Sequence, residues 1–398
     1  MSEAAIAYHH TKGFQKRFFI LVATVSISGF SQGLLLSLLS VILDRQGVRA
    51  DFNGLSSAAL YVGMLLASPF MEAPVRKFGY KPIILFGMSL LIGSMILFPL
   101  WLNFYFWILL RFLVGIGDNA LHFATQVWIT STVAANKRGR SISLYGLSYG
   151  IGFAAGPLGL MLLPYGKWVP FAVSVFLFFI ILIPILRLQN EKPKLGRETH
   201  VEKRYLKVYA IAGVALMPFF IYGFLESTLN SIFPIYGMRT GLELSTISKL
   251  LSAFVIGSLI LQLPLGTLSD YIGRRKVLIL ATFSGGILFA LVPMFHTTIP
   301  LYIIFTLAGG LVGSLYSLGL AYVADLIGPA LIPTANIIAT IHFGVGSIIG
   351  PYLGGSFINH ISPQSLFYLI GVVVVSFAFF GFFSTLVKRC KNRRKTNI

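Results

Sequence analysis

The chain has 398 residues, 56% of them hydrophobic and 11% charged. Soluble domains carry about 25% charged residues, so a water-soluble fold of ordinary size is excluded and the bilayer is the solvent. The formal charge of +19 invites a nucleic-acid reading, which the placement of the charges argues against.

Apolar runs recur along the whole length, each near the roughly 20 residues a helix needs to cross hydrocarbon. Membrane-spanning helices are predicted at 17–43, 53–74, 82–102, 104–134, 141–164 and 168–187, then at 206–237, 246–268, 276–296, 300–327, 331–358 and 364–387. A membrane barrel would need strands of about 10 residues that alternate in polarity. These runs do not alternate, so a barrel is excluded. Between the sixth and seventh spans lies the one long polar stretch, Leu188 to Tyr205. It divides the chain into an N-terminal six-helix bundle (1–187), a central loop (188–205) and a C-terminal six-helix bundle with a basic tail (206–398).

The two halves are related. At a constant offset of 194 residues, Gly29 and Phe30 match Gly223 and Phe224, and Arg45 and Gly47 match Arg239 and Gly241. At the same offset Gly63 matches Gly257, Gly79 matches Gly273 and Gly115 matches Gly309. Gly150, Gly152, Gly156 and Pro157 likewise match Gly344, Gly346, Gly350 and Pro351. One glycine match is chance in a chain with 40 glycines; a set held without gaps is not. The expected fold class is all-α integral membrane, with twelve transmembrane helices in two pseudo-symmetric six-helix bundles.

Of 31 Lys and Arg residues, 25 fall on one side of this topology. They are Lys12, Lys16, Arg17, Arg76, Lys77, Lys81, Lys137, Arg138, Arg140, the cations from Arg187 to Lys207, Arg274, Arg275, Lys276 and those from Lys388 to Lys395. Arg45, Arg49, Lys167, Arg239 and Lys249 lie opposite, and Arg111 lies within a span. That asymmetry follows the positive-inside rule, which makes both termini and the central loop cytoplasmic. The basic tail is then a topology anchor near anionic lipid, with no nucleic-acid partner. His9 to Arg17 is polar and basic and leads into a long span, which reads as a signal-anchor. Cys390, the single cysteine, carries no disulfide or metal spacing. There is no phosphate-binding loop, H-E-x-x-H, Cys/His cluster or nucleophile elbow, so no cofactor or metal is expected and the chain does not read as an enzyme.

Several motifs resemble the major facilitator superfamily. After the eighth span, Gly266-Thr-Leu-Ser-Asp270-Tyr-Ile-Gly273-Arg274-Arg275 is similar to that family's G-x-x-x-D-x-x-G-R-R/K gating loop. There the resemblance implies tight turns at the glycines and an aspartate that holds a neighbouring helix end. The first-half counterpart departs from it: Arg76 occupies the aspartate position and Glu72 the first glycine position, ahead of Gly79. Glu72 can pair with Arg76 as an i,i+4 neighbour; the other reading is a plain topogenic loop. In the fifth span Gly152, Gly156 and Pro157 resemble the antiporter motif G-x-x-x-G-P-x-x-G-G, and in the eleventh Gly346, Gly350 and Pro351 complete it through Gly354 and Gly355. Its physical content is close packing through small residues, and its family use favours export. Arg111-Phe-Leu-Val-Gly115-Ile-Gly117 is similar to the fourth-span motif in which arginine is tied to proton coupling. Parallel six-helix repeats are this family's architecture, with substrate near the midplane between repeats.

A charge at the bilayer centre costs about 2.5–3.5 kcal/mol on insertion scales, so Arg111, Asp118 and Glu226 need a reason. Arg111, Asp118, His122 and Gln126 sit at i, i+7, i+11 and i+15, on one helical face. Acid, imidazole and amide in that order suit a proton relay; the alternative is a structural polar network in which Asp118 neutralises Arg111. Glu226, with Asn230 one turn on, is the offset partner of Gln32. A lone carboxylate there can load a proton or attract a cation. Asp325 reads as a helix-end or loop-latching residue. Tyr222, Phe224, Tyr316 and Tyr322 are potential cavity walls, and Trp101, Trp107 and Trp168 read as interfacial anchors. What the resemblance and the charges imply together is a monomeric, multi-pass plasma (inner) membrane transporter that exchanges protons for small amphipathic molecules by alternating access. The alternatives are a nutrient symporter or facilitator for a sugar or organic acid, and a lipid-precursor flippase.

Overall fold

A computed structural model describes the backbone of residues 3–133, 138–193, 203–328 and 331–396, and the side chains of 15–133, 140–193, 203–328 and 331–382. The side chains of Lys12, Lys137, Arg138, Cys390 and the tail from Lys388 to Lys395 lie outside that set, as does the part of the central loop from 194 to 202. The described residues fold into α1 (Glu3–Arg45), α2 (Ala50–Ala67), α3 (Glu72–Phe78), α4 (Tyr80–Leu97), α5 (Phe104–Thr132), α6 (Arg138–Ala155) and α7 (Val169–Leu186). The second half contributes α8 (Arg204–Arg239), α9 (Leu244–Ile272), α10 (Arg274–Leu291), α11 (Thr298–Gly313), α12 (Leu315–Leu326), α13 (Ile332–His360) and α14 (Ser365–Thr396).

Among these residues, 11 helices are long and apolar enough to cross a membrane, and the count reaches 12 when the bent pair Ala50–Phe70 and Glu72–Phe78 is taken as one span. The 56° bend falls at Met71, directly after the 3-10 turn Ser68–Phe70 that carries Pro69. Proline removes a backbone donor and crowds the preceding turn. The fifth span also changes character: α6 gives way at Gly156-Pro157 to a 3-10 stretch ending at Tyr165. Its counterpart α13 stays α-helical through Pro351. The tenth span is interrupted at Ser314, between α11 and α12.

Asn103 caps α5, its side chain accepting from the Phe106 N–H at 3.0 Å. Asn103→Ala is expected to lower stability by about 1 kcal/mol, read as a small fall in thermal midpoint.

The chain divides into two compact units, one of residues 1–38 and 59–196, the other of 39–58 and 197–398. The dividing point at 196 lies inside the expected central loop. The ends of α1 and α2 from 39 to 58 pack with the second unit: a Cβ at Gly54 would overlap the Pro351 carbonyl, and one at Gly355 the Ala50 carbonyl.

Within the first unit, α1 crosses α6 where Gly29 meets the Tyr149 carbonyl and Gly152 meets the Ser26 carbonyl. There α2 crosses α5 where Gly63 meets Phe112 and Gly115 meets Leu60. In the second unit α8 crosses α13 through Gly223 against Phe343 and Gly346 against Phe220, and α9 crosses α11 through Gly257 against Thr306 and Gly309 against Phe254. Each contact is the first-unit contact shifted by 194 residues. The repeat is thus a repeat of helix crossings, kept because no side chain fits between the two backbones.

Trp101 and Trp168 are exposed, as interfacial anchors are. Trp107 departs from the expectation. It is 1% exposed, and its indole N–H donates to the Phe98 carbonyl at 3.1 Å and to the Trp101 carbonyl at 3.0 Å. Its position at a span end did not reveal which helix face it occupies.

Candidate functional site

The first unit gathers polar groups from α1, α5 and α6. Asp118 is held by the Ser28 hydroxyl, which donates to Oδ1 at 2.5 Å. His122, one turn along α5, places Nε2 at 3.4 Å from the same oxygen and 3.3 Å from Ser28 Oγ. Its other nitrogen, Nδ1, lies 2.6 Å from the Tyr145 hydroxyl. The Tyr149 hydroxyl donates to Gln32 Oε1, and the Tyr149 ring stands edge-on to His122 with centroids 5.2 Å apart. The Asp118 side chain is 3% exposed and that of His122 18%. The acid is therefore sealed and the imidazole is its accessible neighbour. Asp118 Oδ2 is buried with no hydrogen-bond partner among the described residues.

Two predicted members do not join this chain. Gln126 is exposed, because each step of four residues advances about 40° around a helix of 3.6 residues per turn. Two such steps from Asp118 carry Gln126 off the face. Arg111, 2% exposed, has no ion pair with Asp118 among the described residues. Seven residues of helix separate them by about 10 Å, and the group within electrostatic reach of Arg111 is the neutral Tyr61 hydroxyl on α2.

In the second unit Glu226 is 5% exposed on α8 and has no ion-pair partner among the described residues. Its hydrogen-bond partner is Tyr222, one turn earlier, and Tyr316 lies within electrostatic reach. Tyr222, Tyr316 and Phe343 form a triangle with centroids 6.1, 6.0 and 5.9 Å apart, backed by Phe219 at 5.0 Å from Tyr316. Asn230, expected beside Glu226 in a cavity, is 1% exposed, and its amide turns back to donate to the Glu226 carbonyl at 2.8 Å. Phe224 is buried in packing against Phe220.

The two arrangements correspond. At the 194-residue offset Gln32 becomes Glu226, His122 becomes Tyr316 and Tyr149 becomes Phe343. The edge-on rings His122 and Tyr149 (81°) recur as Tyr316 and Phe343 (90°). Ser28, Tyr145 and Tyr149 were not picked out by sequence reasoning. Their signal was present in the i,i+4 spacing of Ser28 with Gln32 and of Tyr145 with Tyr149, but 17 tyrosines hid it.

The loop after α9 centres on Arg274. It pairs with Asp270 at 3.0 Å, and it donates to Asp325 on α12 at 2.5 Å and to Ser269 at 3.1 Å. Arg275 donates to the Gly381 carbonyl at 2.7 Å. Gly273 closes α9 at φ 96°, a conformation that favours glycine. Gly266 makes no turn; it lies inside α9 with open space around it.

In the first half Glu72 pairs with Arg76 at 2.5 Å, both exposed. The offset equivalents of Arg274 and Asp325 are Tyr80 and Ser131, whose hydroxyls meet at 3.1 Å. The carboxylate that binds this region comes from elsewhere. Glu191, beyond α7, accepts from Arg17 on α1 and from the Trp128 indole at 3.0 Å. Its carbonyl accepts from the Tyr80 N–H at 2.9 Å. Asn190 donates to the Phe78 carbonyl at 2.7 Å, close against Gly79, whose φ is 95°. Glu191→Ala is expected to lower stability by about 1–3 kcal/mol, since it strands partly buried donors. Glu72→Ala breaks an exposed pair worth about 0.3–0.5 kcal/mol. Thermal midpoints of the two variants rank them.

The sequence model of the Major Facilitator Superfamily matches residues 21–245 and 216–397. The chain belongs to the major facilitator superfamily. It is 44% identical over 364 residues, covering 90% of its length and 93% of the relative's, to the uncharacterized MFS-type transporter YfkF of Bacillus subtilis. It is also 22% identical to an MFS-type transporter, YcaD, of Escherichia fergusonii, over 80% of this chain and 83% of that one. Among solved structures it resembles the nucleoside transporter NupG, with TM-score 0.78, 13% identity and coverage of 92% and 99%. A bacterial homolog of the human lysosomal transporter Spinster, in an inward-facing, unoccupied conformation, matches with TM-score 0.71, 14% identity and coverage of 93% and 97%. As a member of this superfamily the protein is a multi-pass secondary transporter of small molecules, not an enzyme.

Proposed function

We propose that this superfamily member is a proton-coupled exporter of small, partly apolar, cationic molecules, working by alternating access with both termini cytoplasmic. The observation that carries the reading is Glu226, a carboxylate buried within a span with no ion-pair partner among the described residues and aromatic rings around it. An anion there bears the insertion penalty of about 2.5–3.5 kcal/mol, and a bound proton or a bound cation relieves it. Exchange of one for the other keeps the site neutral through a cycle, which is antiport. Rings beside the carboxylate add cation–π attraction for an ammonium. Asp118, with His122 as its accessible neighbour, supplies the second proton-binding group.

One observation favours the uptake reading in its place. The Gln32–Tyr149 pair, His122, Ser28 and Tyr145 make the first unit richer in hydrogen-bonding groups than Gln32 alone. Such a set suits a polar, ring-bearing solute, and the fold neighbour NupG is a nucleoside transporter.

Purified protein in liposomes, with a pH gradient imposed in either direction, separates the two. Radiolabelled tetraphenylphosphonium and uridine serve as probes. Antiport predicts that the cation moves against the proton gradient and that Asp118→Asn removes the effect. Uridine accumulation along the proton gradient, with no cation movement, would replace export by symport.

A further inference from the structure

Asp118 and His122 share an oxygen, and the groups around them restrict where hydrogens can stand. From α1, Ser28 has one hydroxyl hydrogen. At 2.5 Å it donates to Asp118 Oδ1, so toward His122 Nε2 at 3.3 Å Ser28 has only its lone pairs. With Asp118 ionised, Nε2 faces two acceptors, Ser28 Oγ and Asp118 Oδ1 at 3.4 Å, contacts long enough to favour a hydrogen on Nε2 without fixing it there. Nδ1 is then a bare acceptor, and the group that satisfies it is the Tyr145 hydroxyl from α6 at 2.6 Å. Tyr149, also on α6, faces the imidazole edge-on and gives its own hydroxyl hydrogen to Gln32.

Tyr145 has a second acceptor within reach, the His122 main-chain carbonyl at 3.5 Å. The hydroxyl can therefore serve either state of the ring. Donating to Nδ1 fixes the hydrogen on Nε2, aimed at the acid. Turning to the carbonyl frees the Tyr145 oxygen to accept from Nδ1–H, and leaves Nε2 bare to face a protonated Asp118.

We propose that Tyr145 is a positioning residue for proton loading: its hydroxyl selects the His122 tautomer that points a hydrogen at Asp118, and switches acceptor when Asp118 takes up its proton. The inference rests on the proton-coupling reading of Asp118. The step moves one proton from imidazolium Nε2 to an Asp118 oxygen, leaving a neutral ring. The imidazolium forms beforehand, when Tyr145 has turned to the carbonyl and water delivers a proton to Nδ1; after the step the ring keeps its hydrogen on Nδ1 and Nε2 is bare. No electron transfer is involved.

The test needs no transported substrate. Purified protein labelled with nitrogen-15 histidine, in lipid bilayers, gives one His122 signal set, identified by its loss in His122→Gln. The expected result at pH 8 is a single tautomer with Nε2 protonated and Nδ1 accepting, and a mixture of both tautomers in Tyr145→Phe. Nδ1 protonated in the wild type at that pH, or an unchanged tautomer in Tyr145→Phe, overturns the proposal. Tyr145→Phe keeps the ring and its contact with His122; an unaltered thermal midpoint establishes that it folds. The coupling reading is tested separately, by Asp118→Asn in liposomes. An unchanged response to a pH gradient there removes proton coupling, whichever tautomer His122 shows. Loss of the response together with an unchanged Tyr145→Phe spectrum removes only the role of Tyr145.

Discussion

Glu226→Gln is expected to abolish proton-driven movement of substrate while the chain stays folded in the membrane. Glutamine matches the shape of the acid and keeps a hydrogen bond to Tyr222, the one partner the carboxylate has on α8. What it lacks is a proton to exchange and a charge to meet a cation. Removing a positioned proton-transfer group commonly lowers a rate about 100-fold or more, and a loss of that order in the gradient-driven rate is anticipated here. Exchange of substrate across liposomes without a gradient should survive if neutral probes are used, because the aromatic triangle of Tyr222, Tyr316 and Phe343 is untouched. Transport of tetraphenylphosphonium by Glu226→Gln at full rate with the same pH dependence would refute the assignment.

The second large effect is structural. Gly152→Val and Gly346→Val each put a branched side chain where a helix backbone already stands, against the Ser26 and Phe220 carbonyls respectively. Overpacking that side chains alone can relieve costs about 1–3 kcal/mol; here the obstacle is main chain on a rigid helix, so a loss at or above about 3 kcal/mol is expected. Because the two glycines occupy equivalent crossings, α1 with α6 and α8 with α13, the two variants should fail alike. Each should give little folded protein by size-exclusion profile in detergent. Gly93→Val is the control. Its Cβ position meets no atom within 4 Å, and it should behave as wild type.

The spans and the repeat were legible in the sequence because both leave periodic marks. Twenty-residue apolar runs have no other reading, and glycines required at helix crossings reappear at a fixed offset. Local distortions were less legible. Pro69 bends the second span by 56°, yet Pro157 and Pro351 occupy equivalent positions and only the first ends its α-helix. Proline identity alone does not decide which bond is sacrificed; the packing around it does. Composition also gives no sign that residues 39–58 pack with the second unit.

For the candidate site, burial was easier to read than partnership. Asp118, Arg111 and Glu226 were found because ionisable groups in spans are rare, and all three are buried. Their partners came from other helices or from ordinary-looking residues: Ser28 and Tyr145 for the Asp118–His122 pair, Tyr61 for Arg111. Gln126 fell off the face because a helix does not repeat at exact multiples of four. Glu191 was hidden differently. It sits in a polar loop that reads as linker, and only the fold shows that its carboxylate meets Arg17 and the Trp128 indole.

Proton coupling is the central claim, and proton release on ligand binding tests it most directly. Detergent-purified protein in weakly buffered solution near neutral pH, with a pH-sensitive dye, would receive tetraphenylphosphonium at saturating concentration. The account predicts a release of protons on binding, reduced in Glu226→Gln and absent when Asp118→Asn is added to it. Binding confirmed by calorimetry with no proton released at any pH between 6 and 8 would contradict it.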